Sequence, residues 1–277
     1  MRIVKSVAEM QAVCRGLRAA GTVVGFVPTM GALHEGHLSL VRRAREECDA
    51  VVASIFVNPL QFGKGEDFAR YPRTFEQDCT RLEAEGVVAL FAPETSEMYP
   101  EDAVTTVTVA GVGDRLDGAS RPGHFTGVAT VVAKLFHIVG RCKAYFGQKD
   151  AAQVAVLRRM VKDLNFDVEL VSCPIVRDPD GLALSSRNQY LSAEERERGL
   201  VLNRVLRLIE ERIKRGERES AALIDAGRSA TAGVQLDYLA IVDVESLLPV
   251  KTAEKGTLMA IAAWVGKTRL IDNFLVE

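Results

Sequence analysis

The chain has no excess of charge of either sign: 35 lysines and arginines against 37 aspartates and glutamates leave a formal net charge of −2 over 277 residues. A pI near 6.2 gives neither a polyanion nor an anionic lipid surface anything to grip as a whole. Nucleic-acid and membrane partners are therefore not expected, and any anionic ligand must be held by local charge. No stretch approaches the roughly 20 apolar residues that a membrane span requires. Cysteine is sparse and odd in number: Cys14, Cys48, Cys79, Cys142 and Cys173 include no C-x-x-C pair for zinc or redox work. With no signal-peptide pattern at the start, these thiols read as small buried hydrophobes in a reduced, cytoplasmic protein. Two phosphate-binding signatures are also missing, since no G-x-x-x-x-G-K-[ST] occurs and no G-x-G-x-x-G follows a strand. Internal repeats and low-complexity tracts are absent.

What remains is a hydrophobic fraction of 48% and a charged fraction of 26%, those of an ordinary globular protein. Short apolar runs alternate with longer amphipathic ones. "TVVGFVP" (22–28), "AVVASIFV" (50–57), "VVALFAP" (87–93), "KAYFG" (143–147) and "DVELVSCPIV" (167–176) read as strands. Between them, "HLSLVRRAREEC" puts Leu38, Val41, Ala44 and Cys48 on one helical stripe. "RTFEQDCTRLEAEG", closed by Gly86, "GVATVVAKLFHIVG" and "DAAQVAVLRRMVKDLN" read as further helices. Near-continuous apolar strands in alternation with helices predict a Rossmann-like parallel sheet covered on both faces. Past about residue 176 the pattern changes to a turn-rich connector, a long charged helix over 193–215, a shorter helix from Ser220 and a run of strands. The expected organisation is α/β: a catalytic domain over 1–175 and a smaller α+β domain over 176–277.

Only four histidines occur, and His34 and His37 stand together in "PTMGALHEGHLSLV", where a strand ends and a helix begins. A zinc-protease reading fails, because that pattern needs histidines four apart; no metal site is expected. A helix N-terminus offers unpaired N–H groups and a partial positive charge, which makes it an anion site. Gly31 and Gly36 allow close backbone approach, and two imidazoles near one helix start can point into the same cleft and donate to phosphate.

"HEGH" resembles the H-x-G-H signature of the nucleotidyltransferase superfamily. With "SIFVNPLQF", "GEDFARYPRT", "RPGHFTGVATVVAKLF", "FGQKD", "DGLALSSRNQYL" and "TRLIDN" in order, the chain resembles the pantothenate synthetase (pantoate–β-alanine ligase) family from about Val23 to Asn273. The resemblance implies a C–N ligase that joins (R)-pantoate to β-alanine with ATP, through pantoyl-adenylate, with release of AMP and pyrophosphate. It implies catalytic roles for His37, His34, Lys149, Ser185, Ser186 and Arg187, with His37 the proton donor. The nucleotide would meet Met30, Gly31, His34, Gly36, His37, Gly147, Lys149, Asp150, Val176 and the loop Leu184 to Arg187. Asn58, Gln61 and Gln153 would clamp pantoate, and Gln61 would also serve β-alanine. Mg²⁺ accompanying ATP and a homodimer are implied as well. The Asp180–Gly181 turn would give the 184–187 loop the freedom of a lid.

The chain departs from the family pattern at Gln148, where relatives usually carry Glu, and at Ala151 and Ala152. Two other readings stay open at this level: a nucleotidyltransferase for a different acid, and a nucleotide-binding module without catalysis. Intact His34, His37, Lys149 and Arg187 speak against the second.

Overall fold

The computed structural model describes residues 1–277. Six short apolar runs form strands: β1 Arg2–Val4, β2 Val24–Thr29, β3 Ala50–Ile55, β4 Ala89–Phe91, β5 Cys142–Gly147 and β6 Val168–Cys173. They assemble in the order β1-β4-β3-β2-β5-β6, and every neighbouring pair is parallel. The intervening helices are α1 Val7–Ala19, α2 Glu35–Glu47, α3 Phe75–Ala84, the short α4 Thr95–Met98 and α5 Asp117–Ser120, then α6 His124–Val139 and α7 Ala151–Asp163. Both faces of the sheet are covered, as the apolar strands require. Phe26 packs with Met10 of α1, Phe136 of α6 and Leu157 of α7 on one face. Its neighbour Val27 packs with Leu40 and Val41 of α2 and Leu82 of α3 on the other, because successive strand residues face opposite ways.

Beyond β6 come α8 Ala193–Gly199, α9 Val201–Lys214 and α10 Ser220–Ser229, then β7 Gln235–Asp243, β8 Thr257–Val265 and β9 Thr268–Leu275. These three strands form an antiparallel sheet in the order β7-β8-β9. Its inner residues and α9 share one core. Val242, Leu247, Leu258 and Ala260 instead join the core of the large sheet, so the small unit is packed against the large one. A parallel α/β sheet with a smaller C-terminal α+β unit is the architecture that the sequence predicts.

Several local expectations are corrected. The buried stripe of α2 is Leu40, Val41 and Ala44, while Leu38 is half-buried and Cys48 lies past the helix end in extended backbone. The helix expected over 193–215 is two, with the break at Leu200 (φ −62°, ψ −14°). A Cβ on Gly199 would lie 2.9 Å from Leu270 Cδ1, so close packing on β9 fixes the chain there. β1 and α1 come from an N-terminal stretch whose three strand residues are too few to register as an apolar run.

Chain order places the site. From the central β2 the chain moves outward to β3 and β4, then crosses to β5 on the other side of β2. The loops after β2 and β5 therefore diverge at the carboxyl edge, the switch point where such sheets bind ligands. The loop after β2 carries His34 and His37; the loop after β5 carries Lys149.

The segment after β3 is fixed by an unusually close contact. A Cβ on Gly127 of α6 would sit 2.2 Å from the carbonyl oxygen of Leu60. Glycine costs a helix interior about 1 kcal/mol relative to alanine, so Gly127→Ala would stabilise an isolated helix. Here the added methyl must drive α6 from the 58–61 segment, and overpacking of this kind costs about 2 kcal/mol or more. Gly127→Ala is expected to lower the thermal midpoint despite the better helix former, as calorimetry would measure.

Candidate active site

The site begins with a buried carboxylate. Gly31 (φ +83°) and Ala32 (φ +50°) are both left-handed. The amides of Ala32 and Leu33 donate to Asp78 of α3 at 2.8 and 2.9 Å, and Thr74 Oγ1 adds a third bond at 3.1 Å. Arg81, one turn along α3, donates to the carbonyl of Leu33. These two amides, just ahead of α2, are spent on Asp78, which is 1% exposed. Gly31 serves that turn and does not line the cavity that His34 and His37 share.

The turn delivers His34 to the N-cap of α2 and His37 to its first turn. His34 N–H donates to His37 Nδ1 at 3.3 Å, so His37 carries its ring proton on Nε2. His34 Nδ1 is buried without a partner, and the two ring centroids lie 4.1 Å apart. Gly36 has ordinary backbone; its role is steric, since a Cβ there would meet the His34 ring at 3.0 Å. Burial, with Lys149 nearby, pushes His34 down to about 4. Burial, then His34 and Lys149, pushes His37 down to about 3. Both rings are neutral donors at pH 7.

These rings line a cavity of about 180 Å³ together with Met30, Gly36, Gln61, Gly147, Lys149, Asp150, Gln153, Val176, Leu184, Ser185, Ser186 and Arg187. All of these are residues that the resemblance singles out. A second cavity of about 850 Å³ adjoins it between the two sheets and shares Lys149, Asp150, Gln153, Ser185 and Arg187.

Asn58 does not line either cavity. Its amide is 1% exposed and fully occupied: Nδ2 donates to Gln61 Oε1 (3.1 Å) and Gly127 O (3.0 Å), while Oδ1 accepts from Tyr99 O–H (2.8 Å). It holds Gln61, whose Nε2 also reaches Met30 Sδ at 2.9 Å. Asp150 makes no capping bond at α7; its carboxylate stands 3.8 Å from Lys149 Nζ. Val176 has its carbonyl engaged by Leu184 N–H at 3.0 Å. The Asp180–Gly181 turn is clamped rather than free, because Arg196 bonds both Asp178 and Asp180 at 2.7 and 2.9 Å.

Gln148 turns away from the cavity. Its amide donates to Asn273 Oδ1 (3.0 Å) and accepts from Ser172 Oγ (2.9 Å), while Asn273 Nδ2 donates to the carbonyls of Gln148 and Lys149. A glutamate could not donate to Asn273 in the same way. Ala151 and Ala152 are buried in the core of the large sheet, where their small size admits close packing of α7.

Arg121, His124 and Tyr71 also line the smaller cavity and had no assigned role in the sequence reading. His124 Nδ1–H donates to Gln61 O at 2.7 Å, and its Nε2 accepts from Arg121 Nη1 at 3.0 Å. Burial, then Arg121, pushes His124 down to about 4. The available signal was "RPGH" immediately before a buried helix, a second histidine at a helix start. No group of three or more His, Cys, Asp or Glu side chains stands together as a metal site. Asp78 is committed to the 32–33 turn, which leaves Asp150 as the carboxylate lining the smaller cavity.

Known proteins bear directly on this arrangement. The family model described as pantoate-beta-alanine ligase matches residues 2–275. A pantothenate synthetase of Acidobacterium capsulatum is 60% identical, covering 100% of this chain and 97% of the relative. One from Thermotoga neapolitana is 54% identical, with 100% of both chains covered. The crystal structure of pantothenate synthetase from Thermus thermophilus superposes with a TM-score of 0.93 at 50% identity, covering 100% of this chain and 99% of that one. The Francisella tularensis pantoate-beta-alanine ligase, complexed with beta-gamma ATP and beta-alanine, matches with a TM-score of 0.80 at 34% identity over 99% of this chain and 97% of that one. The chain belongs to the pantoate–β-alanine ligase family.

Proposed function

We propose that the switch-point cavity condenses (R)-pantoate with β-alanine at the expense of ATP. The observation that carries this reading is the convergence of His34, His37, Lys149, Arg187, Gln61 and Gln153 on one cavity from the segments that follow β2, β3, β5 and β6. In the first step a pantoate carboxylate oxygen attacks the α-phosphorus; the bond to the bridging oxygen breaks and pyrophosphate leaves. Such transfer needs alignment and charge stabilisation more than covalent help. Lys149 supplies a point charge, and Arg187 supplies planar paired donors. His37 offers Nε2–H, and the approach of a triphosphate raises its basicity toward that of a proton donor. Ser185 and Ser186 offer hydroxyls from the loop that faces α2.

Gln61 and Gln153 suit pantoate because an amide donates and accepts at once and adds no negative charge against the carboxylate. In the second step the β-alanine nitrogen attacks the acyl carbon. The C–N bond forms, the C–O bond to AMP breaks and the nitrogen gives up a proton. Exclusion of water protects the mixed anhydride. The same reading takes 1–175 as the catalytic domain and 176–277 as the domain that brings in the 184–187 loop. It includes Mg²⁺ travelling with ATP, with Asp150 the cavity carboxylate nearest Lys149, and a homodimer by family resemblance. A cytoplasmic location accords with five free cysteines and with the absence of any helix long and apolar enough to cross a membrane.

ATP–pyrophosphate exchange tests the reading. Exchange that depends on pantoate, followed by consumption of the adenylate on adding β-alanine, is expected; exchange driven by a different acid, or none, would refute it. His37→Gln keeps an acceptor for His34 N–H, as a capping-box glutamine does, but removes the imidazole. The exchange rate is expected to fall about 10²–10³-fold, as for loss of one transition-state donor, with the thermal midpoint nearly unchanged.

Stability should depend on pH through the same rings. His34, His37 and His124 have folded pKa values of about 4, about 3 and about 4, below the ordinary value near 6.5. As pH falls from 6.5 the unfolded chain takes up protons first, so stability is intact above 6.5 and is lost progressively down to pH 3–4. Each histidine adds at most about 1.4 kcal/mol per pH unit to that slope. Urea titrations between pH 7 and pH 4 should show a shallower acid limb for His37→Gln than for the wild-type chain.

A further inference from the structure

We infer that Asp67, from the loop between β3 and α3, is a positioning residue for Arg187 and thereby for the nucleotide phosphates. The inference rests on the reading of Arg187 as a triphosphate ligand. Asp67 Oδ2 and Oδ1 accept from Arg187 Nε and Nη2, both at 2.9 Å. This two-point contact spends one edge of the guanidinium and fixes its plane. The other edge, which includes Nη1, is left to donate elsewhere. Asp67 and Arg187 are 14% and 28% exposed, so the pair is partly shielded from solvent yet borders the cavity.

Three further contacts tie the same two loops together. The guanidinium carbon lies 5.8 Å from the centroid of the Tyr71 ring, the Tyr71 hydroxyl is 3.2 Å from Ser186 Oγ, and Tyr190 O–H donates to Arg70 O at 3.1 Å. An arginine side chain has many rotamers, and an aimed donor edge requires that freedom to be removed before the phosphate arrives. A carboxylate on one edge and an aromatic ring against one face remove it without consuming the second edge. The 65–71 loop thus acts on the reaction through the 185–190 loop.

The test is a double-mutant cycle on pantoate-dependent ATP–pyrophosphate exchange, with wild type, D67N, R187Q and D67N/R187Q compared, and D67E as a second single variant. D67N is expected to raise the KM for ATP and lower kcat, each about tenfold, as loss of orientation does, with the KM for pantoate unmoved. R187Q should be more severe, and the double variant no worse than R187Q alone, because Asp67 acts only through Arg187. D67E, which retains the charge, should recover part of the loss. Should D67N fail to fold, D67E carries the test by a raised KM for ATP at constant KM for pantoate. A lowered KM for ATP in D67N would mean that Asp67 competes with phosphate, and additive losses in the double variant would mean that it acts elsewhere; either overturns the inference. If the wild-type chain shows no pantoate-dependent exchange at all, the functional reading falls first and the role of Asp67 falls with it.

Discussion

The carboxylate of Asp78 is the constraint on which the histidine end of the cavity depends. Buried among α3 and the loop after β2, it accepts two backbone amides and one hydroxyl, and bonds of this charge-assisted kind are about twice as strong as neutral ones. Without it, the amides of Ala32 and Leu33 would be donors without acceptors in a left-handed stretch that alanine resists. With it, the chain turns sharply enough that His34 reaches the N-cap of α2 only a few residues after the strand ends. The pair of imidazoles is thus aimed from behind, by a residue 44 positions away from His34 in the sequence.

The opposite wall is set by the small sheet. Asn273 on β9 bonds the carbonyls of Gln148 and Lys149, and Gln148 bonds back to Asn273 and across to Ser172. The backbone that presents Lys149 is therefore held by a strand from the far end of the chain. The nearby Arg177–Asp272 pair, at 2.6 and 2.8 Å, anchors the start of the 177–191 segment to the same strand. Contributions of the C-terminal unit thus go beyond the serine–arginine loop: β9 bonds both the backbone around Lys149 and the start of the 177–191 segment.

How much of this was legible in the sequence follows from the range of each interaction. Strands β2, β3, β4 and β5 announce themselves because burial on both faces demands a nearly continuous apolar run. β1 does not, because three residues carry no pattern. The helix boundary at Gly199 was hidden, since its cause is Leu270 on another element. At the site, His34 and His37 could be singled out from residue type and position at a strand end, whereas Lys149 stands out only through the "FGQKD" resemblance. The resemblance of "VNPLQF" implies a ligand role for Asn58; in the structure its buried amide supports Gln61 and is held by Tyr99 and Gly127. Arg121, His124 and Asp67 went unassigned because their partners lie 55 to 120 residues away. Partners so distant leave no trace of the pairing itself, although "RPGH" does put a histidine at a helix start.

The electrostatics of the wall explain how a chain of net charge −2 can hold a polyanion. Lys149 stands beside Asp150, Arg121 is paired with Glu66, and Arg187 is paired with Asp67, while all three cavity histidines are neutral. The wall carries many donors but little net charge. Unpaired cations at this density would repel one another and resist burial; paired ones can be packed and oriented in advance. An arriving triphosphate then meets N–H groups whose directions are already fixed, and its own charge supplies the field that raises the basicity of the imidazoles.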